Sequence, residues 1–547
     1  MTSRNILLLS FVMVCCPFRA QNMNDSLPQA LPGAKVYQAF SLSDFDYIRE
    51  SEAWLSSENA AGLQQLPVSD ISFAEAFFEK NDGKFINYYQ SGNSYTFGAR
   101  TESYYRLNPQ IVFYGKVHYA NFRGKNMGGS TFINPEYNVI DIVEMDEGTR
   151  GTKNLETYNL IGAVSAKLSN SWSIGGKVDY TAANYAKFKD LRHVNTAFDV
   201  SATLGVNYQL GNMLAIGANY FYRRSVESIE FRMSGTTDKQ YTSLVSFGSF
   251  YGRTELFGEN GYTEKSTANP TVNTFNGASL QLNLKATGYW NLFNELSYKS
   301  RSGYYGKRSP STPVYTEHHG SILSYSGTLS YRNRQQLHLL SGNISKESVE
   351  NSENSWRKEN TTGGRTDIIY YGSNQVLNKN VLNARITYTA NLNITDDCPE
   401  WILRSTANYY DRKQAVAQYP FYRKQTIRFL EAGAQATRNI IRQKSLWSVT
   451  VGISCGSGGG TVNEDGTYNT FSGEQPPKSL QSGLEKEYEY LTATHVKGNI
   501  GIHYSFPVRL VKSGYVKATY ELTKAKKIEY LEGNAFHSAT MTIGCNF

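Results

Sequence analysis

The sequence predicts an all-β protein whose strands close into a transmembrane antiparallel β-barrel. Two observations predict it. Apolar and polar residues alternate along most of the chain, which is typical of strands with one buried face. The polar connections between these stretches alternate strictly between short and long. This alternation is typical of outer-membrane barrels, which have short periplasmic turns and long extracellular loops. A β-sandwich also shows alternation, but it has no reason to sort its connections in this way.

The composition agrees with strands that meet a water–lipid interface. The chain of 547 residues contains 40 Tyr and 46 Gly but only 14 Pro. Tyrosine suits strands, and it suits the interface because its ring is apolar and its hydroxyl is polar. The formal net charge of +8 is scattered along the chain, so we expect no nucleic-acid partner. Of the five cysteines, Cys15 and Cys16 are adjacent near the start of the chain, and the other three, Cys398, Cys455 and Cys545, are an odd number at wide spacing, so no disulfide framework is predicted.

Residues 1–20 have the features of a secretory signal peptide. Arg4 precedes an apolar run from Ile6 to Cys16, which is too short to cross a bilayer as a helix, and Ala20 is a small residue suited to the cleavage site. A lipoprotein signal is the alternative, because two cysteines end the apolar run. No later apolar run approaches the roughly 18 residues that a membrane helix needs, so we expect none.

Residues 21–81 differ in character from the rest of the chain. They mix charged residues with Phe45, Tyr47 and Trp54, which favours one or two short amphipathic helices. This segment precedes the first strand and therefore starts in the periplasm. A barrel of about 18 strands is wide enough to hold it as a plug, and a periplasmic appendage is the alternative.

The barrel itself is expected to occupy residues 82–547, with alternation clearest in Ser201–Leu210 and Leu446–Cys455. Tight turns are predicted near Asn108-Pro109, Asn170-Ser171, Gly211-Asn212, Trp290-Asn291, Arg332-Asn333, Asp396-Asp397, Gln443-Lys444 and Phe506-Pro507. Longer connections are predicted at about 125–153, 184–193, 234–276, 307–315, 350–378, 413–423 and 458–486.

Counting from an ascending strand at 83–90 to the last residue gives about 18 strands, with about 16 as the alternative, and single-chain bacterial barrels have even numbers. Several strands look longer than the roughly ten residues that cross the hydrocarbon, so we expect the sheet to project beyond the membrane on the extracellular side. The connection 234–276 is rich in aromatic residues, and we expect it to fold against the barrel mouth or into it.

The charged residues of the strands fall in the polar phase of the alternation, which the barrel turns toward its lumen. They are interpreted as lumenal ion pairs that hold the barrel's shape, with a solute path as the functional alternative. The candidate lumen-facing residues are Lys116, Lys167, Lys177, Asp179, Arg404, Lys497, Lys517 and Glu521.

Catalytic and metal-binding patterns are scarce in this sequence. It has no HExxH, no CxxC and no GxSxG between a strand and a helix. His318 and His319 are neighbours beside a predicted loop, but adjacent strand residues point to opposite faces and are badly placed to share a metal. The glycine run 456–460 follows a strand and precedes no helix, so it is not a phosphate-binding loop. We expect no enzyme, no cofactor and no metal site.

The last strand carries the most specific signal. Its apolar residues alternate and end on an aromatic ring, at Ala539, Met541, Ile543, Cys545 and Phe547. In this the chain resembles the Gram-negative outer-membrane β-barrels, whose final strand is the signal read by the barrel-assembly machinery. Its length, its Tyr-rich strands and its helical lead-in resemble an uncharacterised family of such barrels. It resembles the TonB-dependent and fatty-acid transporters less, because the large plug of the former and the Asn-Pro-Ala motif of the latter are absent.

The resemblance implies an outer-membrane location with both termini in the periplasm, and outer-membrane lipids and the assembly machinery as partners. The first functional hypothesis is passage or uptake of a small solute, alone or with an envelope partner. The second is a sealed barrel that acts as a surface receptor or as a scaffold for a lipoprotein. The third is an outer-membrane enzyme.

Overall fold

The structure, a computed structural model, describes residues 44–234, 239–258, 261–264, 268–286, 288–310, 312–360, 366–469, 473 and 475–547. The predicted signal peptide, its lipoprotein alternative and the first part of the N-terminal segment lie outside these residues.

The described chain is mostly strand. Its helices are α1 (Phe45–Ser51), α2 (Gln481–Thr492) and three 3₁₀ turns at Ala53–Ser56, Ala60–Gln65 and Glu147–Thr149. Its strands are β1 (Asp70–Gly83), β2 (Asn93–Asn108), β3 (Ile111–Met127), β4 (Asp141–Glu144), β5 (Gly151–Lys167), β6 (Trp172–Lys187), β7 (Arg192–Leu210), β8 (Leu214–Arg232), β9 (Thr242–Ser246), β10 (Tyr251–Leu256), β11 (Asn269–Ala286), β12 (Trp290–Gly306), β13 (Val314–Arg332), β14 (Gln336–Asn360), β15 (Thr366–Thr395), β16 (Cys398–Gln418), β17 (Phe421–Arg442), β18 (Ser445–Thr467), β19 (Lys478–Ser479), β20 (His495–Val508), β21 (Val511–Ala525) and β22 (Ala535–Asn546).

Eighteen of these strands form one closed antiparallel barrel, and β4, β9, β10 and β19 form a separate small sheet. Closure occurs between β22 and β1, from the pair Phe73 and Asn546 to the pair Gly83 and Phe536. Every barrel strand therefore has two hydrogen-bonded neighbours, as a sheet in hydrocarbon requires. The predicted fold and the predicted count of about 18 strands are confirmed.

The first strand lies earlier than the sequence indicated. β1 begins at Asp70, so the ascending strand placed at 83–90 and the barrel start placed at 82 are wrong. The reason is that Phe73 packs on the N-terminal segment inside the barrel, while Phe78 is exposed on the outer face. A strand with apolar residues on both faces shows no alternation.

Two connections expected to be long are hairpin tips. β14 continues to Asn360 and β15 resumes at Thr366, within the predicted connection 350–378, and β16 and β17 are joined through Tyr419 and Pro420 alone. These strand ends do not alternate, because residues 351–360 of β14 are almost all polar and residues 368–371 of β15 are a continuous apolar run. At roughly 3.4 Å per residue, the 25 residues of β14 measure about 85 Å.

The short turns agree better with prediction. Six of the eight lie where the sequence placed them. The other two predicted pairs, Trp290-Asn291 and Phe506-Pro507, lie in strands, and the actual turn is within three residues of each pair. All these turns are at one end of the barrel, here named the short-turn end. The opposite end, named the long-loop end, carries the small sheet and the projecting β14–β15 hairpin.

An apolar band surrounds the barrel. The outward residues Leu204, Leu280 and Met541 have 69, 64 and 62% of their surface exposed. Near the short-turn end the tryptophans of four strands form a ring, with Trp172, Trp290, Trp401 and Trp447 all exposed. An apolar band bordered by aromatic residues is the outer surface of an outer-membrane barrel. Among the described helices, none is long and apolar enough to cross a membrane.

Candidate functional site

A compact segment closes the barrel at the short-turn end. It consists of α1 and the two 3₁₀ turns that follow, residues 45–66, and is named the floor. Asp44 begins α1 by accepting hydrogen bonds from the backbone N–H groups of Asp46 (2.8 Å) and Tyr47 (3.1 Å). Asn59 begins the last turn in the same way, accepting from the N–H of Ala61 at 3.0 Å.

The floor is held in place by apolar packing against strands on opposite sides of the barrel. The ring of Phe45 lies edge-on to Phe73 with centroids 4.9 Å apart, and Trp54 lies edge-on to Phe293 at 5.1 Å. Ile48 is also buried in the cluster that Phe45 forms with the wall. Residues 45–66 therefore lie inside the barrel, packed against its wall.

Polar bonds fix the floor to further strands. The Asn59 amide donates to the Val206 carbonyl and to the side chain of Gln281, both at 2.9 Å. Glu50 pairs with Arg404 at 2.7 Å and Glu58 pairs with Lys299 at 2.5 Å. These bonds attach the floor to strands β7, β11, β12 and β16.

Three wall glycines let the floor lie flat against the sheet. A Cβ at Gly175 would lie 2.3 Å from the backbone nitrogen of Ala61, and one at Gly205 would lie 2.1 Å from the side-chain oxygen of Asn59. A Cβ at Gly217 would lie 2.8 Å from the ring of Trp54. Each glycine faces inward on its strand, so close approach of the floor explains its presence.

A second closure, named the roof, fills the long-loop end. It consists of β4, β9, β10, β19 and α2 with the described residues that connect them to the barrel, and its sheet order is β19-β10-β9-β4. Phe247 and Tyr262 are buried here against Tyr305 and Val416 of the wall. The expectation that the connection 234–276 folds into the mouth is confirmed for its described residues.

The roof is bonded to the wall by buried polar groups. Arg412 and Glu487 form a two-bond ion pair at 3.1 and 2.9 Å between β16 and α2. The Tyr262 hydroxyl donates to Glu353 at 2.8 Å, and the Tyr305 hydroxyl donates to the carbonyl of Tyr262 at 2.8 Å. Buried charges persist only when paired in this way.

A second polar cluster joins the roof to β5 and β6. The Lys153 ammonium donates to the carbonyls of Gly128 (3.2 Å) and Ser130 (2.8 Å), and Lys187 pairs with Glu144. Asp141 accepts from the hydroxyls of Ser130 (2.5 Å) and Tyr88 (2.9 Å).

Burial alters the acid–base properties of this cluster. It raises the pKa of Asp141 to about 6, because the loss of solvent outweighs the two hydroxyl bonds that favour the ionised form. The pKa of Tyr88 is raised well above its ordinary value, first by burial and then by the charge of Asp141. In the floor, burial likewise raises the pKa of Asp44 to about 6.

Above the floor lies a chamber with a cavity of about 590 Å³, lined by Ser56 and Glu58 of the floor and by residues of β12 to β17. On β12 to β16 it is lined by two rows of residues that lie directly opposite one another from strand to strand. The row nearer the floor is Glu295, Ser326, Asn343, Arg385 and Asn408, and the row nearer the roof is Ser297, Ser324, Ser345, Asn383 and Tyr410. Hydroxyls and amides dominate both rows.

The residues named from the sequence occupy two different surfaces. The inward face of their strands carries Lys116, Lys167, Lys177, Asp179, Arg404, Lys497, Lys517 and Glu521. Of these, Arg404 binds the floor through Glu50, Lys497 pairs with Glu431 at 2.9 Å, and Asp179 accepts from the amide of Asn159 at 2.7 Å. The outward face of β22 and the residue after it carry Ala539, Met541, Ile543, Cys545 and Phe547.

The two adjacent histidines are separated by the sheet. His318 is buried, with its Nε2 2.9 Å from the side-chain oxygen of Asn273, while His319 lies exposed near Glu350. In the described part of the chain, no three His, Cys, Asp or Glu side chains are grouped as a metal would require.

Sequence reasoning missed the chamber's neutral lining and Arg385. The only signal was that these polar residues occupy the inward phase of β12 to β16. That signal marks every lumenal position alike, so it could not distinguish residues that contact a closure from residues that line open space.

The pattern of a family of unknown function, DUF6850, matches residues 60–547. No curated protein matches the sequence. Similar solved structures include the ferric preacinetobactin receptor BauA from Acinetobacter baumannii, with 7% identity over 87% of this chain and 80% of that chain and a TM-score of 0.39. The RagAB peptide importer has 6% identity, coverages of 87 and 86% and a TM-score of 0.41. The FrpB iron transporter from Neisseria meningitidis has 8% identity, coverages of 90 and 83% and a TM-score of 0.34. With scores this low, no property of these proteins carries over to the present chain.

Proposed function

The chain belongs to the DUF6850 family of unknown function, and we propose that it takes up a small polar solute across the outer membrane of a Gram-negative bacterium. The solute would pass through the chamber, with floor and roof opening in turn. This proposal rests on one observation above all: floor and roof both obstruct the lumen, and a cavity of about 590 Å³, into which many hydroxyl and amide side chains point, lies against the floor. A purely structural barrel has no need of such a space.

The orientation follows from the connections. We propose that the short-turn end faces the periplasm and the long-loop end faces the exterior, as in other barrels of this class. The backbone N–H of Asp44 donates to the carbonyl of Asp397 at 3.2 Å, which places the entry of the N-terminal segment at the short-turn end. Strand β22 also runs down to that end. Both termini would then be periplasmic.

The floor is the closure suited to movement from the periplasm. It is a short segment joined to β1 by residues 67–69, whereas the roof is built from several connections that return to the wall. An envelope partner that bound the segment preceding Asp44 could displace the floor without disturbing the barrel. We propose that this partner is a lipoprotein or a transporter component of the envelope.

The eight charged residues named from the sequence are proposed to serve the lumen. Arg404 would hold the floor through Glu50, and Lys497 would hold the wall through Glu431. Lys116, Lys177, Asp179, Lys517 and Glu521 would keep the lumen hydrated with both signs of charge, and Lys167 would do so near the short-turn end. The five apolar residues of the last strand would serve assembly rather than passage.

A sealed barrel that acts as a receptor or scaffold is the second candidate. The observation that favours it is the strength of the roof's attachment, in which Arg412 and Glu487 form a buried ion pair. Breaking such a pair costs roughly 3–5 kcal/mol if one charge is left alone. A roof that never opens would make the long-loop surface the functional part.

Single-channel conductance in planar bilayers distinguishes uptake from a sealed barrel. One variant replaces residues 45–66 with a Gly-Ser linker, a second removes the roof hairpin 242–256, and a third combines both changes. Deletions must end before Asp70, because β1 is part of the barrel. The matched control deletes residues 358–367, between the far ends of β14 and β15.

Uptake predicts a stable open channel for the combined variant, smaller or rarer openings for each single variant, and no channel for the control. The chamber then forms part of a continuous path once both closures are gone. If the combined variant assembles as a folded barrel and still does not conduct, the uptake proposal fails in favour of the sealed barrel.

A further inference from the structure

Arg385 differs from three other arginines on the inward face of the wall. Arg100, Arg223 and Arg301 each pair with a carboxylate, of Glu75, Asp199 and Glu347 respectively. Arg385 has no carboxylate partner in the described parts of the chain. Its one bond is from Nε to the side-chain oxygen of Asn408, at 2.6 Å. Both terminal nitrogens of its guanidinium are therefore available to a ligand.

The side chains directly beside Arg385 are neutral, and Glu58 of the floor, which lines the same cavity, is paired with Lys299. It lies directly between Asn343 on β14 and Asn408 on β16 in the row nearer the floor. The carboxylate at one end of this row, Glu295, accepts a bond from the amide of Gln281 at 2.7 Å. The carboxylate beyond the other end, Glu431, is held by Lys497 and Ser454. No acidic group next to Arg385 competes for it.

The row nearer the roof supplies a different chemistry. Asn383 is one position above Arg385 on the same face of β15 and lies opposite Tyr410. The ring of Phe429 lies opposite Tyr410 on the next strand and also lines the cavity. Amide groups can both donate to and accept from hydroxyls. Aromatic rings offer a flat apolar surface on which the C–H face of a sugar ring can pack.

These features together specify one kind of ligand. A guanidinium with two free nitrogens binds a carboxylate through two parallel hydrogen bonds. Amides and hydroxyls beside it match hydroxyl groups, and a cavity of about 590 Å³ is within the size range of small-molecule sites. We infer that the chamber binds a small monocarboxylate that carries several hydroxyls, such as a sugar acid, with Arg385 holding the carboxylate. This inference rests on the proposed function, since it names the solute class for the same chamber.

A direct binding measurement tests the site without depending on passage. The full mature chain is refolded from urea into detergent in the presence of radiolabelled glucuronate, so that the closures do not limit entry. Retained label is measured over a range of concentrations after rapid gel filtration. Glucose, which has the same ring without the carboxylate, is the comparison probe. The variants are Arg385→Gln, Arg385→Lys and, as matched control, Arg357→Gln on the exposed tip of the neighbouring strand.

The expected result is retention of about one glucuronate per chain and roughly tenfold weaker retention of glucose, since the carboxylate supplies the charge-assisted bonds. Arg385→Gln should weaken glucuronate retention at least about tenfold and leave glucose retention unchanged, while Arg357→Gln retains both as the wild type does. No retention of glucuronate by the wild type, equal retention of the two sugars, or a wild-type affinity in Arg385→Gln would each overturn the inference. If Arg385→Gln does not refold, Arg385→Lys decides: weaker retention supports the site and unchanged retention overturns it.

The outcome is separable from that of the conductance experiment. A combined closure variant that conducts, together with a full chain that retains no glucuronate, refutes the inferred ligand and leaves uptake standing. A full chain that retains glucuronate although the combined variant does not conduct refutes uptake and leaves the binding site in a receptor.

Discussion

Single residues determine how tightly the closures fit the wall. At Gly205 the floor approaches so closely that a Cβ would lie 2.1 Å from Asn59, whereas at Gly342 a Cβ would meet nothing within 4 Å. Both glycines lie in barrel strands, but Gly205 faces the floor and Gly342 faces outward. The sequence shows two equivalent strand glycines, and only the structure shows that one is a contact surface.

Gly205→Ala should loosen the floor without disrupting the barrel. The added methyl forces Asn59 to move, and overpacking of this kind costs typically about 1–3 kcal/mol. We expect faster tryptic cleavage after Arg49 in the detergent-solubilised protein, with an unchanged heat-modifiable barrel band on gels. Gly342→Ala is the control and should be cleaved at the wild-type rate. Equal cleavage rates in both variants would show that the floor does not depend on this contact.

Asp141 gives the roof a pH dependence. Its pKa is raised from 3.8 to about 6 by burial, so the folded protein holds the proton more tightly than the unfolded chain does. Protonated Asp141 therefore stabilises the folded protein fully below about pH 4, and this stabilisation is lost as the pH rises through 6. Ser130 and Tyr88 donate to this carboxyl, and Lys153 lies close enough to favour its ionised form.

We expect β9 to exchange its amide hydrogens more slowly at pH 5 than at pH 7.5, by about tenfold or more after correction for intrinsic rates, since each pKa unit corresponds to a tenfold change. Asp141→Asn cannot ionise, so its corrected exchange should be nearly the same at both pH values. An undiminished pH effect in Asp141→Asn would assign the dependence to another group.

At the scale of elements, the alternation of each strand is set by what lies on its two sides. The strands of the membrane band have lipid outside and water or polar groups inside, and their alternation made them recognisable. β1 packs on the floor, and the ends of β14 to β17 lie beyond the apolar band. For these reasons apolar and polar residues do not alternate in either region. The errors at 82–90, 350–378 and 413–423 all have this one cause.

The last element, β22, closes the barrel, and its end meets β1 where the Phe547 N–H donates to the Ser72 carbonyl at 3.0 Å. The Phe547 ring is exposed, so it stabilises no core. Deletion of Phe547 should lower the amount of protein in the outer membrane several-fold, while the assembled fraction keeps wild-type activity in the binding assay. Leu510→Ala, which alters another exposed apolar residue at the short-turn end, should leave the amount unchanged. Normal assembly combined with lost binding would refute an assembly role for Phe547.

At the scale of the whole molecule, the barrel is much taller than a membrane. The four exposed tryptophans mark one boundary of the apolar band. Trp290 pairs with Ala286 on β11, and Leu280 lies six residues farther along β11, away from the short-turn end. At roughly 3.4 Å per residue along a tilted strand, that is about 15 Å, near the bilayer midplane. Tyr371 is on β15 near its junction with the hairpin tip, well beyond the band.

Arginine substitutions can measure where the membrane ends. Leu280→Arg should lower the free energy of unfolding by about 2–4 kcal/mol in phospholipid vesicles, because a charge at the midplane must leave water. Tyr371→Arg, at a side chain equally exposed in the structure, should cost at most about 1 kcal/mol. Urea titration of the refolded variants gives both values. Similar costs at the two sites would place the projecting hairpin inside the bilayer.

The sequence by itself determined the barrel, because alternation and connection length are local properties that each strand carries alone. Six of the eight turns, the closing strand and the inward phase of the charged residues could all be predicted in this way. The tertiary structure decided the rest: the floor, the roof, the chamber and the exceptional position of Arg385. Glu50 meets Arg404, Glu58 meets Lys299 and Asn59 meets Gln281 across the lumen. These partners lie hundreds of residues apart, and no pattern along the chain records which inward residue faces a closure and which faces open water.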